Sequence, residues 1–213
     1  MIVAIQGELG SFSEGAARRL LGADIEIRCC MTFDDLFASV RHGLARRGVV
    51  PVWNTIAGLI YDNAVRARAQ AFTVYRELRY PVQQCLIMRP GTTTTPLRRV
   101  ASHPIALQQC TRWFAAHPGC DPVAIADTAG GVRDLMAECL DANAVIASAA
   151  AAERYGAELV TTGVEDRQGN VTRFMLIGNR ESSTPSHPSL GNRQSGMGKS
   201  WEWGMMKRGG RRR

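Results

Sequence analysis

The stretch Ile2-Val3-Ala4-Ile5-Gln6-Gly7-Glu8-Leu9-Gly10-Ser11-Phe12-Ser13-Glu14 runs from an apolar, β-branched segment through a glycine-punctuated turn into a helix start. Ser11 and Glu14 stand at capping-box spacing, so the helix begins at this turn. The pattern then repeats. Strand candidates at Ile25 to Cys29 and Val49 to Val52 alternate with helical stretches near Glu14 to Leu21 and Phe33 to His42. Thr32 with Asp35 repeats the capping-box spacing, with Asp in place of Glu or Gln. This βαβ alternation predicts a mainly parallel sheet with ligands bound at the strand C-terminal ends. A long extended stretch from Phe72 to Met88 follows, then a second alternating block from Val100 to Ala147. The chain returns through an apolar strand, Met175-Leu176-Ile177. Two α/β lobes joined by extended crossovers account for this layout.

Composition fits that reading. The 213 residues are 45% hydrophobic and 21% charged, as in ordinary globular proteins. Met1-Ile2-Val3-Ala4-Ile5 enters a strand directly, with no basic n-region, long apolar segment or small-residue cleavage site, so a cytoplasmic protein without membrane association is expected. The six cysteines (Cys29, Cys30, Cys85, Cys110, Cys120 and Cys139) form no C-x-x-C pair and read as reduced, mostly buried thiols; no structural metal is expected. The net charge of +7 is concentrated in residues 181–213, where seven basic residues face two acidic ones, leaving +2 for residues 1–180. This Ser/Gly/Pro-rich segment lacks apolar periodicity and reads as a disordered, solvated basic tail. Stacking of Trp201 and Trp203 on single-stranded nucleic acid is the alternative, and nucleic acid is not an expected partner.

Four segments carry candidate chemistry. Asn170-Val171-Thr172-Arg173-Phe174 places a hydroxyl and a guanidinium at the mouth of the returning strand. In Gly48-Val49-Val50-Pro51-Val52-Trp53-Asn54-Thr55-Ile56-Ala57-Gly58, a polar turn with an amide and a hydroxyl ends a β-branched strand. In Val100-Ala101-Ser102-His103-Pro104-Ile105-Ala106-Leu107-Gln108-Gln109-Cys110, Ser102 reads as an N-cap, Pro104 fits the first helical turn, and Gln109 lies two turns along. Gln108 points about 100° away from Gln109 on that helix, so only one of them faces a ligand. Asp127-Thr128-Ala129-Gly130-Gly131-Val132 brings a hydroxyl cap candidate and small residues that let a ligand approach backbone N–H groups. His103, beside Pro104 at a helix start, reads as structural.

Taken in order, these segments resemble prephenate dehydratase, the enzyme family that converts prephenate to phenylpyruvate on the route to phenylalanine. The resemblance runs from the N-terminus to about Asn179. It rests on Gly7-Glu8-Leu9-Gly10-Ser11-Phe12-Ser13-Glu14, Thr32-Phe33-Asp34-Asp35-Leu36-Phe37, the Val-Pro-x-x-Asn-Thr turn, the Ser-His-Pro helix, Ala147-Ser148-Ala149 with Tyr155-Gly156, and the closing Thr-Arg-Phe. It implies a two-lobed fold like that of type II periplasmic binding proteins, with the active site in the cleft between lobes. Lobe one would be residues 1 to about 76 plus 161–180, and lobe two about 77–160. The family commonly carries a C-terminal phenylalanine-binding ACT domain; none is expected within these 213 residues, nor regulation through that route. It also commonly forms dimers or tetramers, which leaves a homodimer as an expectation.

The implied activity is that of a carbon–oxygen lyase (hydro-lyase). Loss of carbon dioxide and the ring hydroxyl makes the ring of prephenate, a dicarboxylate, aromatic; aromatisation drives the reaction, so no cofactor or metal is needed. The enzyme must hold both carboxylates and help hydroxide leave, a task for hydroxyl, amide and backbone N–H donors. The resemblance makes Thr172 the catalytic residue, as a hydrogen-bond donor to the departing hydroxyl. It assigns Asn54, Thr55, Ser102 and Gln109 to substrate binding. Thr128, with the Gly130-Gly131 backbone, is a carboxylate-binding candidate. Arg173 either binds a substrate carboxylate or forms a structural ion pair. Ser11, Trp53 and Phe174 are further candidates, Phe174 as packing beneath the site. Trp53 stands where the family usually has Glu, which would remove a negative charge near an anion site, and Gly130-Gly131 replaces the alanines common in that loop. Two other readings remain: a divergent homologue that decarboxylates prephenate without aromatising it, and a non-catalytic dicarboxylate-binding clamp.

Overall fold

A computed structural model describes residues 1–92 and 96–180. The expected basic tail, residues 181–213, lies outside the described residues. The first sheet is built from β1 (Ile2–Gln6), β2 (Glu26–Cys30), β3 (Arg47–Asn54), the short β4 (Gly58–Leu59), β5 (Thr73–Pro81) and β11 (Val171–Gly178). Its order is β2-β1-β3-β11-β5, with β4 paired to the end of β3. Helices α1 (Phe12–Leu21), α2 (Phe33–Arg41) and α3 (Asn63–Ala69) belong to the same lobe. The second sheet has the order β10-β6-β9-β7-β8, from β6 (Cys85–Met88), β7 (Arg99–Ser102), β8 (Asp121–Ala124), β9 (Ala144–Ala147) and β10 (Glu158–Thr162). Its helices are α4 (Pro104–Leu107), α5 (Thr111–Ala116), α6 (Thr128–Met136) and α7 (Ala149–Tyr155).

Both sheets are mixed, where the sequence predicted mainly parallel ones. β2, β1 and β3 are mutually parallel, as are β8, β7 and β9, whereas β11 is antiparallel to β3 and β5, and β6 to β9 and β10. The topology explains this: β5 leaves the first lobe and β11 re-enters it, so these neighbours must run in opposite directions. The crossovers are 82–84 and 163–170. All of β5 therefore lies in the first lobe and all of β10 in the second, and the expected boundaries near 76 and 161 fall inside these strands.

Each sheet is covered on both faces, which explains its continuous apolar runs. In the first lobe, Val3, Ile5, Ala16, Val49, Phe174 and Leu176 pack on the α1 side, and Ala4, Leu36, Val40, Val50, Met175 and Ile177 on the opposite side. The helix starts follow the sequence. Ser11 caps α1 by accepting from the Glu14 amide, and Thr32 and Asp35 form a full capping box on α2. Gly10, at φ +88°, packs directly on α7; a Cβ there would lie 2.8 Å from Ala151 Cα, so a side chain at this position would force the lobes apart.

Candidate active site

The β3–β11 pair builds the floor of the cleft. The two strands align Thr172 with Asn54 and Arg173 with Trp53, but Phe174 with Pro51, so Val52 is an extra residue, a β-bulge, on β3. The bulge reverses the alternation of β3. Without it, Asn54 would face the same way as Val50 and Val52. With it, Asn54 joins Thr172, Phe174 and Pro51 on the cleft side, and Trp53 turns out with Arg173.

Asn54 is the hub of a buried polar network. Its Nδ2 donates to Thr172 Oγ1 (3.0 Å) and to Asn170 Oδ1 (2.8 Å), while its Oδ1 accepts from the amides of Ile56 (2.8 Å) and Ala57 (2.9 Å) and from Gln109 Nε2 (3.3 Å). Gln109 Oε1 accepts in turn from Asn170 Nδ2 (2.8 Å) and Gln84 Nε2 (3.2 Å). The network spans both lobes and both crossovers, since Gln84 lies on one and Asn170 on the other. Two atoms in it are open. Thr172, 7% exposed, has its oxygen occupied by Asn54 and makes no donation among the described residues, so its O–H is available to the cleft. Gln84 Oε1 is buried without a partner among the described residues, an acceptor suited to a ligand hydroxyl.

Opposite this floor, both lobes present helix starts. Ser11, Phe12 and Ser13 of α1 and Asp127 and Thr128 of α6 line the cleft, together with Gln6, Tyr61, Gln84, His103, Gln109 and Thr172. The N-caps satisfy Glu14 N and Gly130 N, which leaves the first amides of each helix with no intrahelical acceptor. Such ends attract carboxylates. Among the described residues no Arg or Lys lines the cleft. Its ionisable groups are Tyr61, His103 and Asp127. His103 Nδ1 accepts from Ile105 N (3.2 Å), which places its proton on Nε2, 3.3 Å from Tyr61 Oη; burial holds the imidazole below its ordinary pKa, with Asp127 opposing. Burial likewise pushes the Asp127 carboxyl above the ordinary carboxylate value, against its bonds to the Gly130 and Glu8 amides.

Several expectations are corrected. Ser102 is not the N-cap of α4; His103 is, with Pro104 at the first position. The Ser102 hydroxyl is fully buried and donates to Ile146 O (2.6 Å), outside the cleft lining. α4 ends at Leu107, so Gln109 lies just beyond it and not two turns along a helix. Thr55 ties the turn to β11, donating to Asn170 Oδ1 (3.0 Å) and accepting from Val171 N (2.9 Å), and does not line the cleft. Asp127, and not Thr128, caps α6, and the Gly130 and Gly131 amides are taken by Asp127, so they are not ligand donors. Arg173 and Trp53 face away from the cleft, so Trp53 removes no charge from it. Phe174 is buried against Tyr80, edge to face with centroids 6.3 Å apart, beneath the cleft. Sequence reasoning missed Asn170, Gln84 and Asp127. The signal available for Gln84 and Asn170 was an uncharged polar residue entering an apolar strand.

All six cysteines are free and four are buried. Burial pushes the thiols up, Cys29 and Cys85 to about 11 and Cys110 to about 12, which makes them poor nucleophiles. No group of metal-ligating side chains occurs among the described residues, and no described helix is long and apolar enough to cross a membrane.

The two α/β lobes thus enclose a cleft lined by hydroxyl, amide and helix-terminal donors, with the Thr172 hydroxyl at its floor. A family model described as prephenate dehydratase matches residues 3–182, and the chain belongs to the prephenate dehydratase family. It is 36% identical over 176 residues to arogenate dehydratase 5, chloroplastic, of Arabidopsis thaliana, covering 82% of this chain and 41% of that protein. It is 33% identical over 185 residues to the bifunctional N-acyl-homoserine lactone acylase/prephenate dehydratase of Komagataeibacter europaeus, covering 86% of this chain and 65% of that one. The solved structure of a prephenate dehydratase in complex with L-Phe from Arthrobacter aurescens has a TM-score of 0.76 and 27% identity, covering 84% of this chain and 61% of that one. The chain thus spans about two fifths of the length of the plant relative.

Proposed function

We propose that the protein is a lyase that converts prephenate to phenylpyruvate in phenylalanine biosynthesis. The observation that carries this reading is the Thr172 hydroxyl, which lines the cleft with its oxygen accepting from Asn54 and its O–H left without a protein acceptor among the described residues. A donor fixed in that way stabilises charge as it builds on the departing ring hydroxyl and needs no reorganisation to do so. The first-turn amides of α1 and α6 are suited to one substrate carboxylate each, from opposite lobes. On this reading Gln84, which lines the cleft with Thr172 and has an unpaired Oε1, accepts from the ring hydroxyl and orients it towards Thr172. Departure of carbon dioxide and hydroxide then leaves an aromatic ring, and Phe174 with Pro51 adds apolar surface beside the Thr172 hydroxyl for that ring to rest on.

The test is incubation with prephenate at neutral pH and identification of the product by chromatography and mass, with Thr172→Ala as control. The reading expects phenylpyruvate from the wild type and a loss of about 100-fold or more in kcat for the variant. A decarboxylated product that retains its hydroxyl, or binding without turnover, overturns it.

Asp127 favours a second substrate, arogenate, in which an ammonium replaces the keto group of prephenate. The cleft lining holds a carboxyl and no basic side chain other than His103, which is held towards its neutral form. As a carboxylate, Asp127 pairs with the ammonium; protonated, it donates to the keto oxygen. On this reading the arogenate-to-prephenate ratio of kcat/KM rises with pH in the wild type and is flat in Asp127→Asn, which keeps the helix cap. A flat ratio in both excludes Asp127 as the selecting group.

A further inference from the structure

Behind the cleft floor, the register places three side chains in one row across three strands: Trp53 on β3, Arg173 on β11 and Arg79 on β5. They line a pocket of about 220 Å³ with Val171, on the face opposite Thr172. Two guanidinium groups directly opposite one another repel, and nothing in the row balances them. Among the described residues the one ion pair in this row is to Glu77, 3.9 Å from Arg173 Nη1, at the limit of an ion pair, with both side chains about half exposed. Arg173 Nε is buried with no hydrogen-bond partner among the described residues. Trp53, 37% exposed, adds a large apolar face to a site that is otherwise cationic. Two cations short of counter-charge beside an exposed indole match a ligand with a flat ring and an anionic head.

We propose that Trp53, Arg79 and Arg173 form a second binding site, for a small aromatic carboxylate. Its ring stacks on the indole and its carboxylate bridges the two guanidinium groups. The pocket is below the roughly 300–1,000 Å³ of drug-sized ligand sites, so it takes one ring and one head group. The two sites stand back to back: Arg173 and Trp53 are the immediate chain neighbours of Thr172 and Asn54, on the same pair of strands.

The experiment is calorimetric titration of the 213-residue protein with phenylacetate, and with acetate to separate ring recognition from anion recognition. Phenylacetate is expected to bind saturably. Arg79→Gln and Trp53→Leu should each weaken it about ten-fold or more, because each removes one of the two anchors. Acetate should bind at least about ten-fold more weakly than phenylacetate, since it lacks the ring. Thr172→Ala should leave the affinity within about two-fold, because it alters only the cleft face. Arg79 is exposed on an edge strand, so its substitution does not threaten the fold, and far-UV circular dichroism checks this. Absence of saturable binding, equal binding of acetate, or binding that depends on Thr172 and not on Arg79 overturns the proposal.

Discussion

Asn54 shows how one side chain can set the chemistry of another. Its NH2 group donates to Thr172, so the threonine proton has to point elsewhere. Asn54→Asp keeps shape and volume but replaces two donors by acceptors. The new carboxylate would draw the Thr172 proton back into the floor and face Asn170 Oδ1 without a hydrogen. We expect kcat to fall about 100-fold, near the effect of Thr172→Ala, and stability to fall by roughly 1–3 kcal/mol. Turnover and urea unfolding measured on the same preparation check both. Thr55 is the contrasting case. Both of its side-chain hydrogen bonds hold the turn to the start of β11, so Thr55→Val should cost about 1 kcal/mol of stability and leave KM unchanged, whereas a raised KM would return it to substrate binding. Residue types at this site were legible in the sequence; their directions were not. Asn54 and Trp53 are adjacent, and which of them faces the cleft depends on the bulge at Val52, which is a property of how β3 pairs and not of β3 itself. Arg173 was misplaced for a simpler reason: strand alternation within β11 alone turns it away from the face of Thr172.

Among the elements, the helix starts were the most legible, since a cap is a local pattern of three or four residues. Ser11 and Thr32 cap as their spacing predicts. Ser102 and Thr128 failed because a neighbour competed for each role: β7 runs through Ser102 and buries its hydroxyl in the second sheet, and Asp127, one position earlier than Thr128, outcompetes it. The α4 start also predicts a pH response. Burial lowers the His103 pKa from its ordinary 6.5, so below that value the unfolded chain binds more protons than the folded one. The stability that neutral His103 contributes is therefore complete above 6.5 and is lost as pH falls through the window beneath it. His103→Asn keeps an acceptor for Ile105 N and removes the titration. Between about pH 7.5 and about pH 5, the wild type should lose more in Tm than this variant; parallel decline in the two would assign the loss to other groups.

At the scale of the molecule, the lobes share their polar centre and are further tied by Arg133 to Glu8 (2.7 Å), Tyr155 Oη to Leu9 O (3.2 Å) and the Ser148 hydroxyl to Gly10 O. With Asn54, Gln84, Gln109 and Asn170 mutually bonded across both crossovers, neither lobe can unfold without leaving buried polar groups of the other unpaired. Residues 1–180 should therefore melt as one cooperative unit, with calorimetric and van't Hoff enthalpies in agreement; two resolved transitions would show the lobes to be independent. The order of strands in the first sheet carries a separate consequence. β11, the last strand among the described residues, sits between β3 and β5 and is not at an edge, while the described strands of the second sheet all come from residues 85–162. During synthesis the second lobe can close as soon as its own residues have left the ribosome. The first must wait, with a gap in the middle of its sheet, until the final strand arrives. Of the two lobes, the one begun first is thus finished last, and Thr172 arrives with the strand that completes it.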